Sequence, residues 1–366
     1  MEEWKEYKLG DVLTIKYGKD HKQLADGDIP IYGSGGIMRY GERSLYDGPS
    51  ILIPRKGSLN NVIYADKPFW TVDTMFWAII NDSIANPLFV YYSICKKDFA
   101  SLNVGSAVPS LTVPVIEDID ILLPSKATQD KVVSVLKSLD DKIELNRHIN
   151  DNLEQQAQAL FNYYFIDTPE LLGEFSVGSL ADTANYVNGL AMQKYRPING
   201  EKGLPVLKIK ELGQGRIDSS SDFCSNKIDS YYKVYDGDVI FSWSGTLMVK
   251  IWCGGKCGLN QHLFKVSSKT IPKWFYYFWT KHHLDNFIRI AKDKAVTMGH
   301  IKRGELEKAE VLFPNNSVMK KLDTLMAPFL DQIIEKECEI RKLALLRDTL
   351  LPKLISGELV INDINN

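Results

Sequence analysis

From Lys126 to Phe165 the chain runs about 40 residues without proline or glycine, so nothing forces a break before Thr168-Pro169. Val132, Leu139, Asn146, Leu153 and Leu160 recur every seven residues, with Leu136, Ile143, Asn150, Ala157 and Tyr164 on the same step between them. That spacing predicts a long helix whose seam packs on another helix, with Asn146 and Asn150 fixing register mid-seam. At ~1.5 Å per residue it spans on the order of 60 Å. A second seam runs from Ser317 to about Leu350, through Leu322, Met326, Phe329, Ile333, Ile340, Leu343 and Leu350, with Lys336 and Arg347 in the intervening places. Pro328 inside it is expected to kink the helix or split off its first turns.

Before each helix lies a stretch of short alternating and apolar runs. In 1–125, strands are expected at Ile29–Tyr32, Ser50–Pro54, Asn61–Tyr64, Thr74–Ile80 and Ile119–Pro124. Tyr7–Val12 reads as a helical turn, followed by a bend over Leu13–Gly18. Pro87–Tyr92 opens a helix with Asn86 as its cap. The plan then repeats. Leu180–Gly189 parallels Leu9–Gly18, Leu204–Lys208 parallels Ile29–Ile31, and Asp236–Phe241 parallels Asp47–Leu52. Ile271–Tyr277 answers Asn86–Tyr92, and Val311–Pro314 answers Ile121–Pro124. Five landmarks in the same order predict an internal repeat: an α+β domain over 1–125, a long helix over 126–167, a second α+β domain over 168–315, and a second long helix with a tail over 316–366.

Composition changes this picture little. The formal net charge of −2 divides as −4 for 1–125, −2 for 126–167, +5 for 168–315 and −1 for 316–366, so only the third segment has the basic balance of a nucleic-acid binder. No apolar run approaches the ~20 residues of a membrane span. The N-terminus, Met1-Glu2-Glu3-Trp4-Lys5, is acidic and lacks a hydrophobic region, and a cytoplasmic location is expected. Five scattered cysteines fit reduced thiols rather than a disulfide framework. Cys253 and Cys257 with His262 have only Cys224 as a fourth zinc ligand, and no metal is expected.

Enzymatic motifs are missing. Asn86-Pro87-Leu88-Phe89 comes nearest to the catalytic turn of an adenine methyltransferase, but lacks its second proline and a preceding Gly-rich cofactor loop. No Walker loop is present. The carboxylates Asp118/Asp120 and Asp236/Asp238 suit turns better than a nuclease.

The landmarks Leu9-Gly10-Asp11, Gly237-Asp238-Val239-Ile240, the strands ending in Pro124 and Pro314, and above all the tail Leu346-Arg347-Asp348-Thr349-Leu350-Leu351-Pro352-Lys353-Leu354-Ile355-Ser356-Gly357-Glu358-Leu359 carry a resemblance. Over essentially its whole length the chain resembles the DNA-specificity subunit of Type I restriction–modification enzymes. The resemblance implies two tandem α+β target-recognition domains separated by two long antiparallel coiled-coil helices. It implies a non-catalytic subunit without a cofactor of its own. Its partners would be double-stranded DNA, read as a split site, two methyltransferase subunits that bind S-adenosylmethionine, and optional restriction subunits. A methylation-only or phage-defence complex would use the same subunit. A coiled-coil adaptor without a DNA role is the alternative from another class.

DNA contact calls for cations, hydroxyls and amides on loops. In the first domain the candidates are Ser34, Arg39, Arg43, Arg55, Lys56, Ser58, Asn60 and Asn61. In the second they are Gln193, Lys194, Arg196, Lys208, Lys210, Ser242, Ser244, Thr246, Lys250, Asn260 and Gln261, with a late cluster of Lys292, Lys294, Thr297, Lys302 and Arg303. Trp243 reads equally as a base-contacting wedge and as core. Phe161, Tyr163, Leu354 and Ile355 near the helix ends are candidate anchors for a partner subunit, although packing on the chain's own domains is the competing expectation.

Overall fold

The computed structural model describes residues 4–105, 108–293 and 299–361. The chain forms two compact units. One comprises the residues up to Asp141 with those from Ala344 on; the other is Lys142–Leu343. The division falls inside both long helices, Lys126–Asn162 and Asn316–Ile355, so each unit holds one α+β domain and a segment of each helix.

In the first unit, Lys5–Lys8 pairs antiparallel with Asp120–Leu123, the strand that leads into the helix. A four-stranded antiparallel sheet has the order Leu13–Tyr17, Met75–Ile80, Ser50–Pro54, Ile63–Ala65. A three-stranded sheet has the order Gly36–Gly41, Ile29–Gly33, Trp70–Thr71, with the last pair parallel. Ser50–Pro54 is buried at every position, which explains its unbroken apolar run. Leu13–Tyr17, expected as a bend, is a strand: its burial alternates in the first three residues, Leu13 and Ile15 facing the core while Thr14 is exposed. Asn86 caps the Pro87–Ile94 helix, its Oδ1 accepting from the Leu88 and Phe89 N–H groups at 2.9 and 3.3 Å. Val132, Leu136, Leu351 and Leu354 from the two helix segments join Phe89, Ile116 and Leu123 in one core.

The second unit repeats the topology, with one strand more, Lys233–Val234, in its smaller sheet. Its larger sheet runs Asn185–Asn188, Leu263–Ser267, Asp238–Ser242, Met248–Trp252, all antiparallel. Its smaller sheet pairs Leu204–Leu207 in parallel with Cys257–Leu259, and Phe175–Ser179 pairs with Glu310–Pro314. The domain helix is longer here, Lys273–Asp293. Its buried run Trp274–Thr280 packs in a core with Ala157, Phe161, Phe165, Leu322, Met326 and Leu330. The helix segments of this unit are antiparallel neighbours. Asn150 Nδ2 donates to Glu337 Oε1 at 2.8 Å, and Lys142 lies 4.0 Å from Glu339.

Two expectations about the helices change. Pro328 does not split off the first turns: Asn316–Ile355 is one continuous helix. The proline sits on the exposed side, and buried Leu322, Met326 and Leu330 flank it. Their packing offsets the ~3 kcal/mol that an interior proline costs. Of the seam residues, Val132, Leu136, Ile143 and Leu322 are buried, whereas Leu139, Leu153, Ile333, Ile340 and Leu343 are only partly so. At Phe329 the stripe shifts: Leu330 is the buried residue and Phe329 packs at its margin. Asn146 is fully buried, with no hydrogen-bond partner of normal geometry for either amide atom.

Candidate nucleic-acid interface

Each domain carries two adjoining turns on one backbone frame. In the first, the turn Val72-Asp73-Thr74 follows the parallel strand Trp70–Thr71, and the loop Arg55–Ser58 follows Ser50–Pro54. Val72 N donates to Tyr32 O (3.0 Å), Met75 N to Val72 O (3.0 Å), Arg55 N to Thr74 O (2.8 Å), Gly57 N to Pro109 O (3.3 Å) and Leu111 N to Arg55 O (2.9 Å). In the second, the bonds recur at Asn260 N to Leu207 O (3.1 Å), Leu263 N to Asn260 O (3.1 Å), Trp243 N to His262 O (3.4 Å), Gly245 N to Gly299 O (2.9 Å) and Ile301 N to Trp243 O (3.1 Å). Bridges Lys56–Ser110 and Ser244–His300 complete the match. Gly57 and Gly245 both have φ in the left-handed region, +89° and +66°, where a side chain is strained.

This frame sorts the candidate residues. In the first domain it gathers Ser34, Arg55, Lys56, Ser58 and Asn61: Asn61 Nδ2 donates to Ser34 O at 2.9 Å, and the Arg55 guanidinium lies over the exposed Tyr17 ring, 5.4 Å from its centroid. Arg43 stands apart over Trp70, and Asn60 is tied to Asp98 and the Ala100 N–H. Arg39 is turned into its own domain. It donates to His21 O (2.6 Å) and Leu24 O (2.9 Å) and pairs with Asp26 (3.2 Å). Those bonds brace the segment before Ile29–Gly33, so the side chain is not presented as a groove-reaching cation.

In the second domain Gln193, Arg196, Lys208, Asn260 and Gln261 line one cavity of about 270 Å³ with Asp222 and His262. Lys208, and then Arg196 at 3.7 Å, hold the Asp222 carboxyl below its ordinary value. Lys194 and Thr246 are exposed. Lys210 is paired with Asp218 at 3.0 Å, and Lys250 donates to Gly213 O at 2.8 Å. Ser242 and Ser244 are buried, and the Ser242 hydroxyl donates to Ser244 O, so they shape the loop and offer no hydroxyl outward. Trp243 is half-buried against Phe264, its indole N–H donating to Asn188 Oδ1 at 3.0 Å; it packs and does not project as a wedge. Lys292, Lys302 and Arg303 are exposed. Lys294 and Thr297 lie outside the described residues. Sequence reasoning passed over Asp73 and Thr74, and took His262 only as a zinc candidate. Val-Asp-Thr and Asn-Gln-His share no pattern, and only the backbone bonds make the two turns equivalent.

Two proposed subunit anchors are corrected. Phe161 and Leu354 are fully buried in the cores of their own units, since each points down the inner face of its helix. Tyr163 is exposed and Ile355 partly so. Among the described residues no group of three or more His, Cys, Asp or Glu is placed to hold a metal ion, and no helix is long and apolar enough to cross a membrane.

The fold and site define a chain of two repeated α+β modules, each built with two helix segments and each presenting the same two-turn frame. The family model described as the Type I restriction modification DNA specificity domain matches residues 1–155 and again 173–346, so the chain belongs to that family. It is 24% identical to the Type I restriction enzyme MjaIX specificity subunit of Methanocaldococcus jannaschii, over 98% of this chain and 89% of that one. It is 27% identical to the EcoBI specificity subunit of Escherichia coli over 50% of this chain and 39% of that one. The crystal structure of a Type I restriction–modification S subunit from M. genitalium covers 97% of this chain and 96% of its own, with a TM-score of 0.62 at 14% identity, a likeness of fold.

Proposed function

We propose that this chain is the non-catalytic, sequence-specific DNA-recognition subunit of a Type I restriction–modification assembly. Each α+β domain reads one half of a split target. The single observation that carries this reading is the repeated frame, which holds the same backbone bonds in both domains while the side chains at equivalent turn positions differ. A protein reading two different half-sites needs that combination: one way of docking, two sets of base contacts.

The cations around each frame serve the phosphates, and the amides and carboxylates at the turns serve the base edges. The long helices set the spacing between half-sites. Their outward faces, with exposed Tyr163, receive two methyltransferase subunits that bring S-adenosylmethionine, and restriction subunits join in a cytoplasmic complex. The test is binding of the full chain to duplex DNA across a salt series. Affinity is expected to fall steeply with salt as counterions return to the phosphates. Salt-independent or absent binding would leave an adaptor role instead.

A further inference from the structure

The frame places one turn of each domain in the same structural position, directly after the parallel strand. Asp73 and Gln261 are equivalent, as are Thr74 and His262. Asp73 is exposed. Its carbonyl accepts from Arg55 Nη1 at 3.3 Å, which sets a guanidinium beside the turn. Gln261 is half-buried at the wall of the 270 Å³ cavity, 3.4 Å from the His262 ring, with Gln193 and Arg196 on the same cavity.

The chemistry of the two side chains differs in a way that bases can sense. A glutamine amide both donates and accepts, and meets adenine N7 and N6–H2 in a bidentate pair. A carboxylate only accepts. At a DNA surface it is repelled by phosphate unless it meets a donor, and the major-groove donor that suits it is the cytosine N4 amino group. The neighbouring Arg55 moderates that repulsion.

Resting on the DNA-recognition reading above, we infer that this turn is the base-reading element of both domains, with Gln261 reading adenine in one half-site and Asp73 reading cytosine in the other. The loop beside it, Gly57-Ser58 and Gly245-Thr246, is nearly the same in both domains, and so serves what both half-sites share, the sugar–phosphate backbone.

The test uses the full chain co-expressed with its modification subunit, with methylated sites mapped for the wild type, D73Q and Q261D. Both substitutions fall at turn positions outside the buried core, and thermal melts check that the variants stay folded. Q261D is expected to change one base pair of one half-site, from adenine toward cytosine, by roughly tenfold or more in preference. D73Q is expected to change one base pair of the other half-site in the opposite sense. Folded variants that keep the wild-type motif, or that alter both half-sites together, would overturn the assignment while leaving the recognition role intact. A wild-type complex with no split motif would overturn both.

Discussion

Arg341 holds Asp236 through two parallel hydrogen bonds, Nη1 to Oδ1 at 2.7 Å and Nη2 to Oδ2 at 2.8 Å, and Nη1 also donates to the Cys253 carbonyl at 2.6 Å. Within the second unit this clamp joins the C-terminal helix to the turn before Asp238–Ser242, the strand that ends at the frame. Burial pushes the Asp236 carboxyl up, but Arg341 and the Gly255 N–H more than reverse it, and the group sits below its ordinary 3.8. A depressed carboxylate contributes stability that is present above about pH 4 and lost as pH falls through the folded value. Arg341→Ala is expected to cost about 1–2 kcal/mol at pH 7, discounted because both groups are about one-third exposed. Urea melts at pH 7 and pH 3 check this. A difference between wild type and variant that does not shrink at pH 3 would refute the clamp's role.

Phe161 stacks on Phe165 (5.1 Å) and Phe278 (5.7 Å) and meets Trp279 edge-on at 5.2 Å. Phe161→Ala should therefore destabilise the second unit by ~3–5 kcal/mol, whereas exposed Tyr163→Ala should stay within ~0.5 kcal/mol. Denaturant midpoints decide it, and a mild Phe161 variant would mean that the helix end is not anchored in the core.

Gly18 and Gly189 occupy equivalent places where the chain passes the reading turn. A Cβ on Gly18 would stand 1.9 Å from Val72 O, and one on Gly189 2.2 Å from Asn260 O. Backbone must move to admit it, so alanine at either position is expected to cost ~1–3 kcal/mol. Each should also weaken reading of its own half-site alone. Gly35 has nothing within 4 Å of the added atom, and Gly35→Ala is the control, expected within ~0.5 kcal/mol. Equal effects at Gly35 and Gly189 would remove the close approach as the cause.

Four residues inserted in the middle of Lys126–Asn162 add about one helical turn, ~6 Å. At ~3.4 Å per base pair, the spacer between half-sites should lengthen by one or two pairs. Mapping that finds an unchanged spacer would remove the helices as its determinant.

The helices and the repeat were legible because heptad spacing, the absence of proline and glycine from Lys126–Asn162, and landmarks such as Asp236–Phe241 are local and periodic. What was not legible depended on tertiary context. Leu13–Tyr17 pairs with Met75–Ile80, far along the chain (Leu13 opposite Ile80, Tyr17 opposite Phe76), and its short apolar run has no hairpin partner beside it. Pro328 is tolerated because packing on both sides outweighs a local rule. Arg39 looked like a groove cation until its partners His21, Leu24 and Asp26 were placed around it, and Phe161 looked available until the Lys273–Asp293 helix covered it. The reading turns were hidden for a related reason. Their equivalence lies in backbone hydrogen bonds, while their side chains differ, as the proposed reading of two different half-sites requires.

The DNA-recognition role is tested most directly by methylation mapping of genomic DNA with and without this chain, after its co-purification with a candidate modification methyltransferase. The expected result is a two-part motif, methylated only when the chain is present, with one half that changes when residues 1–125 are exchanged for those of another family member. A methyltransferase that neither binds the chain nor changes its target with it would contradict the central claim.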